Sequence, residues 1–333
     1  VTTLDGKSLI TGMFAGLTAA LLALGASIQP SFASLLYAAS ALPVLIVALG
    51  RGNAASLAAI VSAAVISAVA ISPVFAAGMA VFTLLPAGWL GHLASLARPA
   101  TEIGGPDDQI AWYPLSDMMM HLCGLVSIGV VLLGFMIGYG PDFVAEIVKA
   151  VADVASTEDA KLMTDPVSLE QLKGMLLVLL PAAQGATWVM MLTAAYYIAT
   201  RIVSSSGHAK RPRESMPAAL RMNRQSLVVF MAGIIAAFLN GPVGLVGAVL
   251  CGTFSAGFLI AGFASLHYRT MGKDWRLPAL IIVYLSVLFV LPVFAILILG
   301  LADTRRTVAL TPVRKGGTGP NEPKPDTDNE HER

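Results

Sequence analysis

Asp117 and His121 stand four residues apart at the opening of an apolar run, so a helix would set a carboxylate and an imidazole one turn apart on one stripe. That spacing suits an ion pair or two ligands of a metal. Trp89 and His92 close the preceding apolar run, and Trp112 and Tyr113 come just before Asp117. If both runs cross a membrane, these six residues gather at one interface, on the cytoplasmic side by the charge argument below. Two ligands are too few for a metal centre, and aromatic side chains at that depth are ordinary anchors. Anchoring is the expected role, with neither a metal nor another cofactor.

Gln184 and Trp188 are also one turn apart, in the middle of the apolar run 173–200. An amide near the midplane must meet another helix, water or a ligand, because hydrocarbon offers it no partner. Gln29, beside Pro30 in the first external loop, would lie above that face as a lid. Gln29, Gln184 and Trp188 are therefore the candidate binding residues for a small-molecule ligand. Near the N-terminus, Gly12 and Gly16 form a GxxxG step, and Ala15, Ala19 and Ala23 form two AxxxA steps. Such flat faces let a second backbone approach closely, either a partner subunit or another helix of the same chain.

Charge is scarce where chemistry would need it. Apart from Asp117 and Lys173 at their edges, the long apolar runs contain no Asp, Glu, Lys or Arg. Ion-coupled pumps and proton relays keep such groups in the membrane despite a cost of roughly 2.5–3.5 kcal/mol each. A carboxylate-driven transporter is disfavoured. No HExxH motif, no mid-span aspartate pair and no span serine with a histidine partner occurs, so no catalytic residue is assigned and an enzyme is not expected.

These residues must be positioned by helices in lipid. Of 333 residues, 56% are hydrophobic and 12% charged, with a mean hydropathy of +0.76. A water-soluble fold cannot hide that much apolar surface. The net charge of +1 provides no footprint for nucleic acid. Cys123 and Cys251 lie in apolar runs without metal-ligand spacing and are expected to be small buried hydrophobes.

Crossing the hydrocarbon takes about 20 residues, and nine runs qualify or nearly so: 9–27, 32–50, 54–72, 74–97, 117–139, 173–200, 226–240, 243–266 and 277–302. The first, with no clear cleavage site after it, is expected to be retained. The fold class is thus all-α, a polytopic transmembrane bundle of about nine spans, with eight possible; the pair of runs within 226–266 either spans fully or forms a re-entrant hairpin. Residues 1–308 form the membrane domain and 309–333 a polar, disordered tail. Arginine and lysine accumulate at 201–224, which makes that loop and the N-terminus cytoplasmic. With nine spans, however, Arg305, Arg306, Arg314 and Lys315 fall outside, against the same rule. The connection near 141–156 has Phe143, Ile147, Val151 and Val154 at helical spacing and should lie as an amphipathic helix on the outer interface.

The run Leu42-Pro43-Val44-Leu45-Ile46-Val47-Ala48-Leu49-Gly50-Arg51-Gly52-Asn53-Ala54-Ala55-Ser56-Leu57-Ala58 resembles a pattern in the substrate-binding S components of energy-coupling-factor transporters. There an apolar Leu-Pro helix, a Gly-rich basic turn and a small-residue helix follow one another. Over its length the chain resembles the YybS-like predicted membrane proteins (domain of unknown function 2232), thought to be related to those S components. The resemblance implies that the first six helices are S-component-like, with three spans beyond the usual six. It also implies that Ala15, Ala19 and Ala23 dock onto a transmembrane coupling subunit. With the absence of intramembrane charge and the small-residue first helix, it leads to the expectation of a substrate-binding or permease-like subunit for a small metabolite, energised by a partner; the sparse cysteines and lack of eukaryotic targeting signals fit a bacterial inner membrane. The other expectation is a scaffold acting through its basic loop and tail.

Overall fold

The computed structural model describes residues 6–154, 166–287 and 289–312. Its helices are α1 (Gly6–Ile28), α2 (Ala33–Ala39) running into α3 (Ala41–Gly50), α4 (Asn53–Ala70), and α5 (Pro73–Met79), which passes through a π-helical turn into α6 (Leu85–Ser95). There follow α7 (Leu115–Ile137), α8 (Pro141–Val154), α9 (Pro166–Ser205), α10 (Met216–Ala219), α11 (Arg224–Ala237), α12 (Gly241–Arg269), α13 (Arg276–Ser286) and α14 (Val290–Ala302). Among the described residues, seven helical stretches are long and apolar enough to cross a bilayer, and counting α13 with α14 makes eight. Their outer faces carry large apolar side chains in the open, such as Phe14 at 65% and Phe135 at 73% exposure. Acyl chains are the solvent that makes such faces stable.

The passage from α5 to α6 has a local cause. Pro86 has no N–H to give to position 82, and the π-helical turn at Ala80–Leu84 takes up the resulting slack. Thr83 meanwhile donates to the Met79 carbonyl at 2.7 Å. The π-helical turn thus replaces the kink that proline implies.

Two of the nine expected runs take other forms. The run 226–240 becomes α11, whose 14 residues span only about 21 Å. It turns back at Gly241, whose φ of +72° suits glycine, and packs closely on α12, where a side chain at Gly247 would meet the Ala236 and Ala237 backbone. The run 277–302 is broken into α13 and α14, bent by 117°. Pro292 cannot continue a helix through the four residues before it. The start of α13 follows the end of α12 by a short turn, and Asp303, just past α14, accepts a hydrogen bond of 2.7 Å from Ser265 near that same end of α12. Both ends of the pair therefore lie together, and the pair enters and leaves on one side of the bundle. This removes the charge conflict of a nine-span reading, because Arg305 and Arg306 return to the end that holds the other basic loops.

That basic end also carries a small antiparallel sheet in the order β1-β2-β3, which the all-α expectation did not include. Strand β1 (Ala97–Pro99) pairs with β2 (Gln109–Trp112), and β2 pairs with β3 (Leu310–Pro312), with Gln109 opposite Pro312. The beginning of the expected disordered tail is thus an ordered strand, because an unpaired edge of β2 offers its backbone groups a partner. The remainder of that tail, from 313, lies outside the described residues, as do Val1–Asp5.

Candidate functional site

The cluster at the basic end is assembled from several elements. Trp89 and His92 of α6 sit with ring centroids 5.5 Å apart, and Trp89 meets His121 of α7 edge-on at 6.0 Å. The Tyr113 hydroxyl is 3.1 Å from His121 Nε2. Burial and the nearby Asp117 carboxylate push the Tyr113 phenol upward, against the opposing charge of Arg306, so the hydroxyl stays neutral beside the imidazole. His92 Nδ1 lies 2.9 Å from the Asn53 amide. Trp112 turns away and donates to Thr311 at 2.9 Å, clamping β3.

Asp117 and His121 do not pair. The carboxylate accepts from Asn223 at 2.8 Å and from Arg306 Nε at 2.8 Å, because Asn223 at the start of α11 and the returning C-terminal segment occupy its side of α7. Among the described residues, no three His, Cys, Asp or Glu side chains converge. Arg306 is 54% exposed, which screens the pair, but Asp117 is buried and would lose its ion-pair partner while keeping Asn223, so Arg306→Ala should lower stability by about 1–2 kcal/mol, read as a fall in the melting temperature of the detergent-solubilised protein.

Sequence reading missed the deepest polar contact at this end. Arg221, expected in an open basic loop, is fully buried and donates to Asp303 at 2.7 Å and to the carbonyls of Pro217 and Leu220 at 2.9 and 2.7 Å. Burial pulls the guanidinium downward and the Asp303 charge opposes it. Burial also raises Asp303, but the Ser265 hydrogen bond and the charges of Arg221 and Arg305 together hold it below the usual carboxylate range. Arg211 is likewise half-buried and donates to Glu214 at 2.7 Å. No charge pattern in 201–224 distinguishes these internal arginines from exposed Arg213 and Arg224; only the acids Glu214 and Asp303 hint at it.

The small-residue face of α1 is already occupied. Gly12, Gly16, Ala19 and Ala23 are buried, and Ala15 is half-buried. A side chain at Gly12 would meet the Ala55 backbone, and one at Gly16 would meet Ser62 and the Ala59 backbone. The face therefore packs on α4 within this chain and is not free for a coupling subunit.

At the end opposite the basic one, α7, α8, α9 and α12 enclose a cleft of about 320 Å³. Its lining includes Val130, Tyr139, Phe143, Pro181, Gln184 and Val249. The expected amphipathic helix is α8, which lays Phe143 and Ile147 over this cleft while Val151 stays exposed. Val154 ends α8, and its side chain lies outside the described residues. The Tyr139 hydroxyl donates to the Leu176 and Leu177 carbonyls at 3.2 and 3.1 Å, tying the end of α7 to α9. The Gln184 amide has no hydrogen-bond partner among the described residues.

The structure does not bring Gln29, Gln184 and Trp188 together. Gln29 is exposed in the turn after α1. Trp188 is buried on another flank, stacked on Phe82 at 5.3 Å and edge-on to Tyr37 at 6.0 Å. Four residues along a helix leave an offset of about 40°, enough here for neighbours to draw the indole away from the cleft.

No curated protein and no solved structure matches the chain. A family model described as "Predicted membrane protein (DUF2232)" matches residues 16–304, from the middle of α1 to the residue after Asp303, and so takes in the second half of α1 and every later helix of the bundle. The chain belongs to that family of predicted membrane proteins.

Proposed function

We propose that this protein is a substrate-binding or permease-like membrane subunit that captures a small uncharged molecule in the cleft between α7, α8, α9 and α12. The supporting observation is a space of about 320 Å³ with apolar walls and one unpartnered amide, Gln184. A few placed polar groups in an apolar concavity are the usual make-up of small-molecule sites. All described lysines and arginines except Lys149 and Lys173 lie at the opposite end, which the bias of basic residues toward the cytoplasm makes the inner one. The cleft then faces outward in a bacterial inner membrane, with the N-terminus inside. With no ionised group in mid-membrane, energy for transport would come from a partner protein. The face of α1 proposed for such docking is covered, so a partner would use another surface. The scaffold reading draws less support, because Arg211 and Arg221 of its basic loop serve the protein's own packing.

The test is a thermal-shift screen of neutral metabolites on the detergent-purified protein, with native mass spectrometry for co-purified ligand. A ligand at a hundred times its Kd adds about 2.7 kcal/mol to stability. The expected result is a stabilising compound whose effect falls about tenfold in apparent affinity in Gln184→Leu, as loss of one buried hydrogen bond implies. A broad screen without a stabiliser, together with no co-purified ligand, would refute capture.

A further inference from the structure

We propose that the interface of α7, α9 and α12 is a translocation path for a neutral small molecule, with a cavity at each end and a gate at Ser127 and Thr253; this rests on the cleft beneath α8 being the capture site. A second cavity, of about 540 Å³, opens at the basic end between the same three helices. It is lined by Met118 and Leu122 of α7, Thr193 and Tyr197 of α9, and Ile260 and His267 of α12. The outer cleft takes Val130, Gln184 and Val249 from those helices. Both spaces thus border the same three helices, and the Ser127–Thr253 contact lies between their levels. At 1.5 Å per residue, the steps from Leu122 to Val130, from Gln184 to Met190 and from Val249 to Ile260 make the barrier about 9–17 Å thick. Neither cavity is lined by Asp, Glu, Lys or Arg, so an ionised solute would find no counter-charge, whereas a neutral one with a hydrogen-bonding group loses little.

The barrier is closed by close helix approach rather than by bulky side chains alone. Ser127, Val189, Thr253 and Phe254 are buried at that level. Ser127 Oγ and Thr253 Oγ1 are 2.7 Å apart across α7 and α12. Ser127 donates to the Cys123 carbonyl at 2.8 Å, and Thr253 has the Val249 carbonyl within 3.0 Å. When the helices part, the Thr253 proton turns to Val249, so neither hydroxyl is stranded in hydrocarbon. A contact between helices that leaves no orphan on breaking is suited to repeated opening. From α9, Gly185 faces the Thr253 methyl, where a Cβ would come within 2.6 Å of Cγ2, and Gly252 lies against the Ala182 backbone.

The test needs no ligand, so a screen that finds no compound and a gate that fails to open are separate failures. In a Cys123→Ala, Cys251→Ala background, Gln184→Cys and Thr193→Cys report the two cavities, and exposed Gln29→Cys and Arg213→Cys report the two aqueous sides. Membrane vesicles of defined orientation are treated with a neutral, membrane-impermeant reagent, a glucose-linked methanethiosulfonate. Gln184→Cys should label from the Gln29 side and Thr193→Cys from the Arg213 side. Adding Ser127→Ala with Thr253→Ala should raise far-side labelling of each about tenfold, as widening a constriction admits water. Gly185→Ala should then reverse the gain, since its methyl would sit at an ordinary 3.9 Å from the Cβ at position 253. All variants are compared only as monodisperse protein by size exclusion, and the Gly185→Ala reversal excludes general loosening. Labelling of both cavities from one side, no labelling of either, or no far-side gain in the monodisperse double variant would each overturn the path.

Discussion

Asp303→Ala should cost the protein about 3–5 kcal/mol of stability, because it leaves the Arg221 charge buried without its counter-ion. The Arg221 side chain has no exposed surface, and Asp303 holds it at 2.7 Å while also accepting from Ser265. The same contact fixes three pieces of chain: the turn before α11, the end of α12 and the segment leaving α14. In that segment Arg305 N–H donates to the Met222 carbonyl at 3.0 Å and Thr307 to the Ala219 carbonyl at 2.8 Å, so loss of the ion pair should loosen β3 as well. The readouts are the detergent melting temperature and proteolysis between 303 and 312. Arg221→Met combined with Asp303→Leu should recover much of the loss, since neither partner then carries a desolvated charge. Asp303 titrates below its ordinary value in the folded protein. Its stabilisation is therefore complete above the ordinary carboxylate range and is lost as pH falls through the depressed folded value. Wild type and Asp303→Asn should converge in melting temperature on acidification; a constant gap would show that this carboxylate does not carry the effect.

The membrane helices were legible because each is a local property of the chain: an uncharged apolar run of sufficient length announces itself whatever packs beside it. Pairings between distant segments were not. Strand β3 joins β2 across some two hundred positions through three-residue pairing, and nothing in Leu310–Pro312 marks it as a strand before its partner is known. The return of the chain after α13 was hidden for a similar reason. Length and hydropathy alone make 277–302 a span, and only the Asp303–Ser265 contact shows both ends at one side. The misplaced basic tail was the one trace of it in the sequence. Helical spacing also promised more than it delivered for side chains. Asp117 and His121 share a stripe, yet Asn223 and Arg306 draw one away while Tyr113 engages the other. Gln184 reached the cleft as its midplane position implied, whereas aromatic neighbours claimed Trp188.

The small residues of α1 separate packing inside the chain from docking outside it, and Gly16→Val makes the difference measurable. Gly16 lies against the Ala59 backbone and Ser62, and Gly12 lies against the Ala55 backbone. The Ser62 hydroxyl can rotate away from an added isopropyl group, but the Ala59 and Ala63 backbone it also meets cannot. The helices must part along the whole α1–α4 seam, at a cost of about 1–3 kcal/mol or more for overpacking. Lost dispersion contacts at Ala19 and Ala23, both fully buried, would add to that. The expected result is a marked fall in melting temperature and monodisperse yield for Gly16→Val in purified protein with no partner present. Phe14→Ala, on the lipid-facing side of the same turn, should change either quantity little. If the face served an external subunit instead, Gly16→Val would leave the isolated protein's stability intact and affect only the complex. Near-wild-type melting of Gly16→Val alone would thus contradict the α1–α4 seam and return that face to a partner.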